Sequence, residues 1–307
     1  MQDQIELTAW AQALEVFETV VAAIGGLWLG FTVVTLLRLL AKFVLPSWSS
    51  SALLKRCCKD NAYAVVTGAS EGIGREFSLQ LAKKGFNLVI LSRTKAKLDA
   101  LKKELLPTGV NVLVVPFDFS SPEEKDWASL EKKLASLDIT VLVNNVAMNH
   151  SIPTPFMEED ESLVQDILQV RLPPRCLMAS QIPSAYLSVY SASKAFVRSF
   201  SQSLAMEVAP SGVHVEHVNA YFVTTAMSKI RRPSFTTPTP KAFVASVLAS
   251  VGSRVSSVPY FSHALAAFFI GYLGEDMLVR ASRDMHLNIR GRALRKRERE
   301  AAKQKSS

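Results

Sequence analysis

The chain has 307 residues, of which 49% are hydrophobic and 20% are charged, so it can bury one large core and is not a wholly disordered polymer. The formal net charge is +8, but residues 280–307 carry ten basic and three acidic side chains, so the rest is nearly neutral and resembles no nucleic-acid-binding surface. Three cysteines at unsuitable spacings exclude a disulfide framework and a zinc site, and we expect no metal.

The N-terminal segment predicts a membrane anchor. Residues 19–37 contain no charged side chain, and nineteen helical residues come close to the roughly 30 Å thickness of a bilayer core. The charged residues before this segment are all acidic, unlike the basic start of a cleaved signal peptide, whereas Arg38, Lys42 and Lys55 follow it. The excess of positive charge after the segment predicts a single retained transmembrane helix with the following domain in the cytosol. A buried core helix is the alternative. We assign 1–60 to the anchor and its linker.

The next region, 61–258, predicts an α/β fold of the Rossmann type. Short apolar runs alternate with segments of helical periodicity, a pattern typical of a doubly wound parallel sheet with helices on both faces. Between the first two runs, apolar residues recur every four positions and stop at Gly85, which indicates a helix. The predicted strands are 63–66, 87–91, 111–116, 140–144, 175–179 and 213–219.

The C-terminal part predicts a membrane-surface element and a basic tail. Residues 259–273 are apolar but too few for an ordinary crossing, so we assign 259–279 to an interfacial helix or lid, with a tilted second span as the alternative. The tail, 280–307, suits anionic headgroups or cytosolic solvent equally well. Its last five residues, KQKSS, are similar to the dilysine retrieval signal of endoplasmic-reticulum membrane proteins.

A glycine-rich loop follows the first predicted strand. The sequence TGASEGIG at 67–74 opens the first helix, and glycines let the backbone turn tightly so that amides at the helix N-terminus can face a pyrophosphate. A glycine-rich turn that binds nothing is the alternative. The candidate cofactor contacts in this loop are Gly68, Ser70, Gly72, Ile73 and Gly74.

Two further residues indicate the type of dinucleotide. Arg93 follows the second strand, where an NAD-binding protein offers an acid to the ribose, and a guanidinium there favours the 2′-phosphate of NADPH. Asp118 follows the third strand and is placed to contact the adenine amino group. Its alternative role is to cap the strand end.

A tyrosine and a lysine predict the catalytic pair. In YSASK at 190–194, Tyr190 and Lys194 are four residues apart and share a helix face. An ammonium held near a phenol stabilises the phenolate and lowers the pKa of Tyr190, which makes Tyr190 a workable general acid. Without the glycine-rich loop upstream, the same spacing would indicate only an exposed helix pair.

These motifs, with NNVA at 144–147, resemble the short-chain dehydrogenase/reductase superfamily. Within it, MNHSIPTPF at 148–156 and YFVTTAMSKIRR at 221–232 are similar to the very-long-chain 3-oxoacyl-CoA reductases and their 17β-hydroxysteroid dehydrogenase relatives. The resemblance implies an endoplasmic-reticulum membrane enzyme that reduces a long-chain 3-oxoacyl-CoA with NADPH. Its implied partners are the elongase, the dehydratase and the enoyl reductase of fatty-acid elongation, and membrane lipid.

The resemblance also assigns residues beyond the motifs. Val223 and Thr225 would contact the nicotinamide amide, and Asn145 would lie beside the cofactor. The basic residues Lys229, Arg231 and Arg232 would meet the phosphates of CoA, with solvated surface charge as the alternative.

The chain departs from the family pattern before the catalytic tyrosine. Asn144 and Tyr190 are only 46 residues apart, so the crossover before the fifth strand is shortened, and the asparagine of the family's long helix is absent. Ser180 is the best candidate for the serine that orients the substrate, whereas Ser184 and Ser188 are interpreted as loop residues. Two alternatives to the elongation reductase stay open. One is a steroid or retinoid keto-reductase with the same chemistry, and the other, motivated by these departures, is an NADP-binding protein without turnover.

Overall fold

The computed structural model describes residues 2–44, 50–147, 152–160, 162–163, 183–252 and 255–305. The chain divides into two compact units, Met1–Pro46 and Ser47–Ser307, each with its own internal packing.

The first unit is one long helix, α1, over Gln2–Val44. Its stretch Gln12–Val44 has a mean hydropathy of 2.2, so the helix is long and apolar enough to cross a membrane. Large apolar side chains such as Leu27 and Phe31 are exposed along it, as they are on a helix that contacts lipid. The helix contains the predicted span and extends beyond it at both ends.

The second unit contains the α/β domain. Its helices are α2 (Ser50–Cys57), α3 (Gly72–Ala82), α4 (Lys95–Leu105), α5 (Glu124–Leu134), α6 (Ser188–Val208), α7 (Pro240–Ser250), α8 (Phe261–Ile270) and α9 (Glu275–Lys305). Its strands are β1 (Tyr63–Thr67), β2 (Asn87–Ser92), β3 (Val112–Pro116), β4 (Ile139–Val143), β5 (His217–Val218) and β6 (Ser256–Ser257).

The first four strands form one parallel sheet in the order β3-β2-β1-β4. Tyr63 is opposite Asn87 in β2, and Leu88 is opposite Val112 in β3. All three pairings are parallel, so helices must carry the chain back between strands, and the sheet confirms the predicted Rossmann-type class.

Apolar cores cover both faces of this sheet. Alternate residues of β1 and β2 point to opposite sides, so Val66 and Ile90 pack with α3, α4 and α7, whereas Val65 and Val89 pack with Leu130 of α5. The two central strands are buried on both faces because helices lie on each side, which explains their uniformly apolar sequences.

The last two strands form a separate short parallel sheet. His217 pairs with Ser256, and Val218 pairs with Ser257. The predicted strand 213–219 is therefore only two residues long, because residues on either side of it leave the extended pairing. The predicted fifth strand, 175–179, lies outside the described residues.

The helix α8 is ten residues long, about 15 Å, and so is too short to cross a bilayer. His263 is buried, with Nδ1 accepting from the Tyr221 amide at 3.4 Å and Nε2 lying 3.1 Å from the Thr236 carbonyl. Ser262 donates to the Phe235 carbonyl at 2.6 Å. These contacts hold the start of α8 against the α/β domain.

The predicted basic tail is a helix, α9, and its middle is docked on the domain. His286 is buried, and its Nδ1 lies 2.9 Å from the Ala185 carbonyl. Arg290 donates to the Pro153 carbonyl at 3.0 Å and pairs with Glu158 at 2.7 Å. The helix therefore contacts the shortened segment near both of its ends, at Pro153 and Glu158 and at Ala185.

The helix α2 also belongs to the second unit, although its sequence falls in the range assigned to the linker. Leu54 is buried in the main core, and a side chain added at Gly252 would meet Leu53 at 2.9 Å. The division between the two units falls near residue 46 because α2 packs against α7.

Candidate active site

The glycine-rich loop forms a tight cradle between β1 and α3. Gly68 and Gly72 both have φ of +62°, in the left-handed region that favours glycine. A Cβ at Gly74 would lie 2.2 Å from the Gly68 carbonyl oxygen and 2.3 Å from Asn145 Nδ2, so position 74 accepts glycine alone. The Asn145 side-chain amide donates to that same carbonyl at 3.1 Å, which fixes the loop against the end of β4.

A cavity of about 220 Å³ lies in front of this cradle at the carboxyl ends of the strands. Seven of the residues predicted to bind the cofactor line it, and they come from the glycine-rich loop and from the segments that follow β2, β3, β4 and β5. The lining residues that matter here are Gly68, Ser70, Gly72, Arg93, Asp118, Asn145 and Thr225.

Two buried polar atoms in the cavity wall suit a polar ligand. Neither Ser92 Oγ nor Asn145 Oδ1 has a hydrogen-bond partner among the described residues, although each atom is fully enclosed. Burying such an atom without a partner costs about 1–3 kcal/mol, so these positions favour a group that donates hydrogen bonds. The cradle and these atoms fit a dinucleotide, and Ile73 can contribute only its backbone because its side chain is in the core.

Two cations and two carboxylates line one end of the cavity. Arg93 is exposed at the end of β2, and Lys97, one helical turn later, pairs with Glu71 at 3.3 Å. Partial burial alone would raise the pKa of Asp118, but hydrogen bonds from the Ser120 hydroxyl and amide and the charge of Arg93 lower it below the ordinary value. Asp118 therefore both caps its turn and lines the cavity as a carboxylate.

The predicted catalytic pair, Tyr190 and Lys194, lies in the first two turns of α6. Tyr190 is 2% exposed and Lys194 is 5% exposed, so both are held away from bulk water. The Lys194 ammonium lies over the Tyr190 ring, 5.2 Å from its centre. The predicted pairing on one helix face is confirmed, and this pair does not itself line the 220 Å³ cavity.

His217 of β5 lies near the lysine. Burial, together with the charges of Arg198 and Lys194, lowers the pKa of His217 from 6.5 to about 4. The imidazole is therefore neutral at physiological pH, and its Nδ1 lies 3.5 Å from the Ser256 hydroxyl. A neutral ring here adds no positive charge beside the ammonium of Lys194.

The chain after β5 connects the pair to the cavity. Val223 is buried in the main core, and its carbonyl accepts from the Ser228 hydroxyl at 2.7 Å. The Thr225 amide donates to the same hydroxyl at 3.1 Å, and a Cβ at Gly72 would meet Thr225 at 3.4 Å. Thr225 thus closes the cavity opposite the cradle, while Val223 lies behind it.

The structure assembles most of the predicted residues and adds others. Ser180 lies outside the described residues, whereas Ser184 is buried and its amide donates to Ser191 Oγ at 3.2 Å. The sequence analysis missed Ser92, Lys97 and Thr67, although the four-residue spacing of Arg93 and Lys97 was a readable signal. Thr67 Oγ1 accepts from the Asn145 amide at 2.8 Å and thereby ties β1 to β4.

Comparison with known sequences places the chain among named enzymes. It is 39% identical over 305 residues to a protein named very-long-chain 3-oxoacyl-CoA reductase from Phaeosphaeria nodorum, with 88% of each chain covered. A protein of the same name from Podospora anserina is 38% identical over 333 residues, with 96% of each chain covered.

Solved structures share the fold. A short-chain dehydrogenase from Sphingobium yanoikuyae in complex with NADPH has a TM-score of 0.56 at 23% identity, covering 68% of this chain and 94% of that one. A 7β-hydroxysteroid dehydrogenase has a TM-score of 0.64 at 19% identity, covering 73% and 98%. The profile described as short chain dehydrogenase matches in two pieces, 62–180 and 176–234, which meet in the shortened segment. With the cradle, the catalytic pair and these matches, the chain belongs to the short-chain dehydrogenase family.

Proposed function

We propose that this protein reduces the 3-keto group of very-long-chain 3-oxoacyl-CoA, using NADPH, in fatty-acid elongation. The observation that carries the proposal is a buried Tyr190 and Lys194 pair in a chain 38–39% identical, over most of its length, to proteins named for this reaction. The alternative of a steroid or retinoid keto-reductase uses the same residues and has no comparable support from the relatives.

The cofactor site fits NADPH on two grounds. The glycine cradle and the enclosed Ser92 and Asn145 oxygens suit a dinucleotide, and Arg93 with Lys97 supplies positive charge for a 2′-phosphate. Two solved relatives with the same fold are described as complexes with NADPH and with NADP. When bound, NADPH would supply the hydride for the keto carbon.

Side chains of the protein would supply the proton that the reduced carbonyl oxygen needs. Tyr190 would donate its phenolic proton to the carbonyl oxygen as negative charge develops there. Lys194 would hold the resulting phenolate by charge and would contact the nicotinamide ribose. Ser180 would orient the carbonyl by donating a hydrogen bond. The low exposure of the pair strengthens these charge interactions because little water screens them.

The anchor would keep the reaction at a membrane. Helix α1 suits a single crossing, and the excess of basic residues after it favours a cytosolic α/β domain. We extend the proposal to the endoplasmic reticulum, with the elongase, dehydratase and enoyl reductase as partners and the acyl chain of the substrate partly in lipid.

The decisive experiment measures NADPH oxidation by detergent-solubilised full-length protein with a long 3-oxoacyl-CoA. Tyr190→Phe should lower kcat by about 10²- to 10⁴-fold, as expected for loss of a general acid, while NADPH still binds. Tyr272→Phe, at an exposed phenol between α8 and α9, is the matched control and should retain the wild-type rate. Equal rates for the wild type and Tyr190→Phe would show that Tyr190 is not the acid.

The same assay separates the two alternatives. Faster oxidation of NADPH in the presence of oestrone than in the presence of 3-oxoacyl-CoA would favour the steroid reductase. NADPH binding without reduction of either ketone would favour a protein without turnover, the candidate motivated by the shortened segment before Tyr190 and by the absent asparagine.

The role of Ser180 is testable against its neighbour. Ser180→Ala should reduce kcat by about tenfold or more, because one hydrogen bond to the reacting oxygen is lost. Ser184→Ala should change the melting temperature more than kcat, since the Ser184 side chain is buried. The opposite pattern would transfer the orienting role to Ser184.

A further inference from the structure

A second, larger cavity lies on the other side of the Gly72 and Thr225 contact. Its volume is about 1120 Å³, slightly above the range of ~300–1,000 Å³ typical of ligand sites. The two cavities share Gly72, Thr225 and Ala226, so a molecule in the larger one lies beside the cofactor cradle.

The larger cavity is lined by cations from four separate elements. These are Arg75 of α3, Lys229 and Arg231 of the segment after β5, Lys241 of α7 and Lys296 of α9. Against them stands one lining carboxylate, Glu76, and two more carboxylates lie nearby. Glu104 pairs with Arg75, and Glu300 pairs with Lys296 at 3.7 Å. Five cations with three carboxylates leave the cavity positive.

Two of the cations are available to a ligand. Within the described part of the chain, neither the Arg231 guanidinium nor the Lys241 ammonium forms an ion pair with a carboxylate. Both side chains are exposed to the cavity mouth, where a phosphate would replace water. A guanidinium can bind a phosphate through two parallel hydrogen bonds, whereas an ammonium acts as a point charge.

The segment that carries Lys229 and Arg231 is held in a defined shape. The Ser228 hydroxyl donates to the Val223 carbonyl and accepts from the amides of Thr225 and Ile230, the latter at 3.4 Å. Lys229 has φ of +57°, a left-handed conformation that is uncommon for a residue with a side chain and that persists only where the surroundings fix it. The cations are therefore presented by a fixed turn.

We propose that this cavity binds the 3′-phospho-ADP end of the acyl-CoA substrate, an inference that rests on the proposed function. That end carries three phosphate groups, and several converging cations suit such a polyanion better than a single phosphate. The pantetheine arm would then run past Thr225 towards the nicotinamide. Two of the three basic residues suggested by sequence line the cavity, while Arg232 does not, and Arg75, Lys241 and Lys296 are added by the fold.

The experiment compares two substrates in the full-length, detergent-solubilised protein. The double variant Arg231→Gln/Lys241→Gln should raise KM for a 3-oxoacyl-CoA by about tenfold or more, since two charge-assisted contacts are lost. The corresponding N-acetylcysteamine thioester, which has no nucleotide, should keep its kcat/KM, and NADPH should keep its Kd. The control Lys132→Gln/Lys133→Gln removes two exposed lysines of α5 and should change none of these values.

The outcomes distinguish the source of the phosphates. If the double variant binds NADPH more weakly and loses kcat/KM equally for both thioesters, the cations bind the cofactor and the proposal is overturned. An unchanged KM for the CoA thioester would also overturn it, with the proposed reaction still intact.

A binding measurement separates this inference from the reaction. Adenosine 3′,5′-bisphosphate, measured by calorimetry, should bind the wild type and Tyr190→Phe equally and bind Arg231→Gln/Lys241→Gln at least tenfold more weakly. That result would support the site even if no 3-oxoacyl-CoA is reduced. Equal binding to all three proteins, or to none, would contradict it.

Discussion

The half of the domain that holds the glycine cradle differs from the half that holds the proposed catalytic pair, Tyr190 and Lys194. In the first half, five- and six-residue strands pair in one sheet, and β1 and β2 are buried on both faces. In the second half, β5 and β6 have two residues each, and α6 exposes the stacked rings of Phe196 and Phe200. The two halves meet in the main core, where Ala220, Val223 and buried residues of α7 pack with the first half.

This difference indicates where the stability and the chemistry reside. The first half is closely packed, because helices cover its central strands on each side, and one of these helices, α7, comes from the second half. The second half depends on contacts with its surroundings, including the α9 residues His286 and Arg290 that clasp the ends of the shortened segment. Variation in crossover length therefore affects the half that carries Tyr190 and leaves the cradle in place.

The largest expected contrast is in stability. Ile90 is fully buried in β2, so Ile90→Ala should lower the free energy of unfolding by about 2–5 kcal/mol, because a cavity replaces a well-packed side chain. At about 2–4 °C per kcal/mol, Tm would fall by roughly 5–15 °C. Phe196→Ala removes a side chain that is 66% exposed and should change stability by about 0.5 kcal/mol or less. Similar losses for both variants, measured by thermal unfolding in detergent, would remove the contrast.

The cradle itself is tested by Gly74→Ala. The added methyl would overlap the Gly68 carbonyl and Asn145, and overpacking of this kind costs about 1–3 kcal/mol. NADPH affinity should fall by about tenfold to hundredfold. The control is Gly109→Ala, with φ of +74° and open space around it, which should cost about 1 kcal/mol without weakening NADPH binding. If Gly74→Ala binds NADPH with the affinity of the wild type, the glycine cradle is not the binding site of the cofactor.

Cofactor preference should depend on Arg93. In Arg93→Gln, the Kd for NADPH should rise by about tenfold while that for NADH stays unchanged, because only NADPH carries the 2′-phosphate. Lys103→Gln, at an exposed lysine near the end of α4, should alter neither Kd. A parallel rise in both constants would show that Arg93 does not discriminate between the two cofactors.

The smallest expected effect is the pH dependence of the catalytic half. The pKa of His217 is about 4 in the fold against 6.5 in the unfolded chain, so the unfolded state binds the proton first as pH falls. Stability from this group is complete above about pH 6.5 and is lost between there and pH 4, about 1–2 kcal/mol at pH 5.

Urea unfolding of wild type and His217→Gln at pH 8, 6.5 and 5 checks this prediction. The variant should lose less stability than the wild type over that range, whatever its stability at pH 8. Burial also lowers the pKa of His263 and His286, so some pH dependence remains in the variant. Identical pH dependence in the two proteins would exclude His217 as a contributor.

Local sequence patterns predicted the first half well. Unbroken apolar runs mark strands that are buried on both faces, so β1 and β2 were readable, and the helix after the cradle began and ended near its predicted limits. The same rule predicted too long a strand at 213–219, since only two residues of that run pair with another strand. Strand length there depends on pairing rather than on the apolar pattern.

The sequence by itself determined the family, the apolar anchor, the glycine cradle and the spacing of Tyr190 and Lys194, because each depends on residues close together in the chain. The tertiary structure decided that α9 clasps the domain through His286 and Arg290, and that cations from four elements line one cavity. Such features join residues more than a hundred positions apart. Only the packing of helices on the sheet brings those residues together, and no local pattern records it.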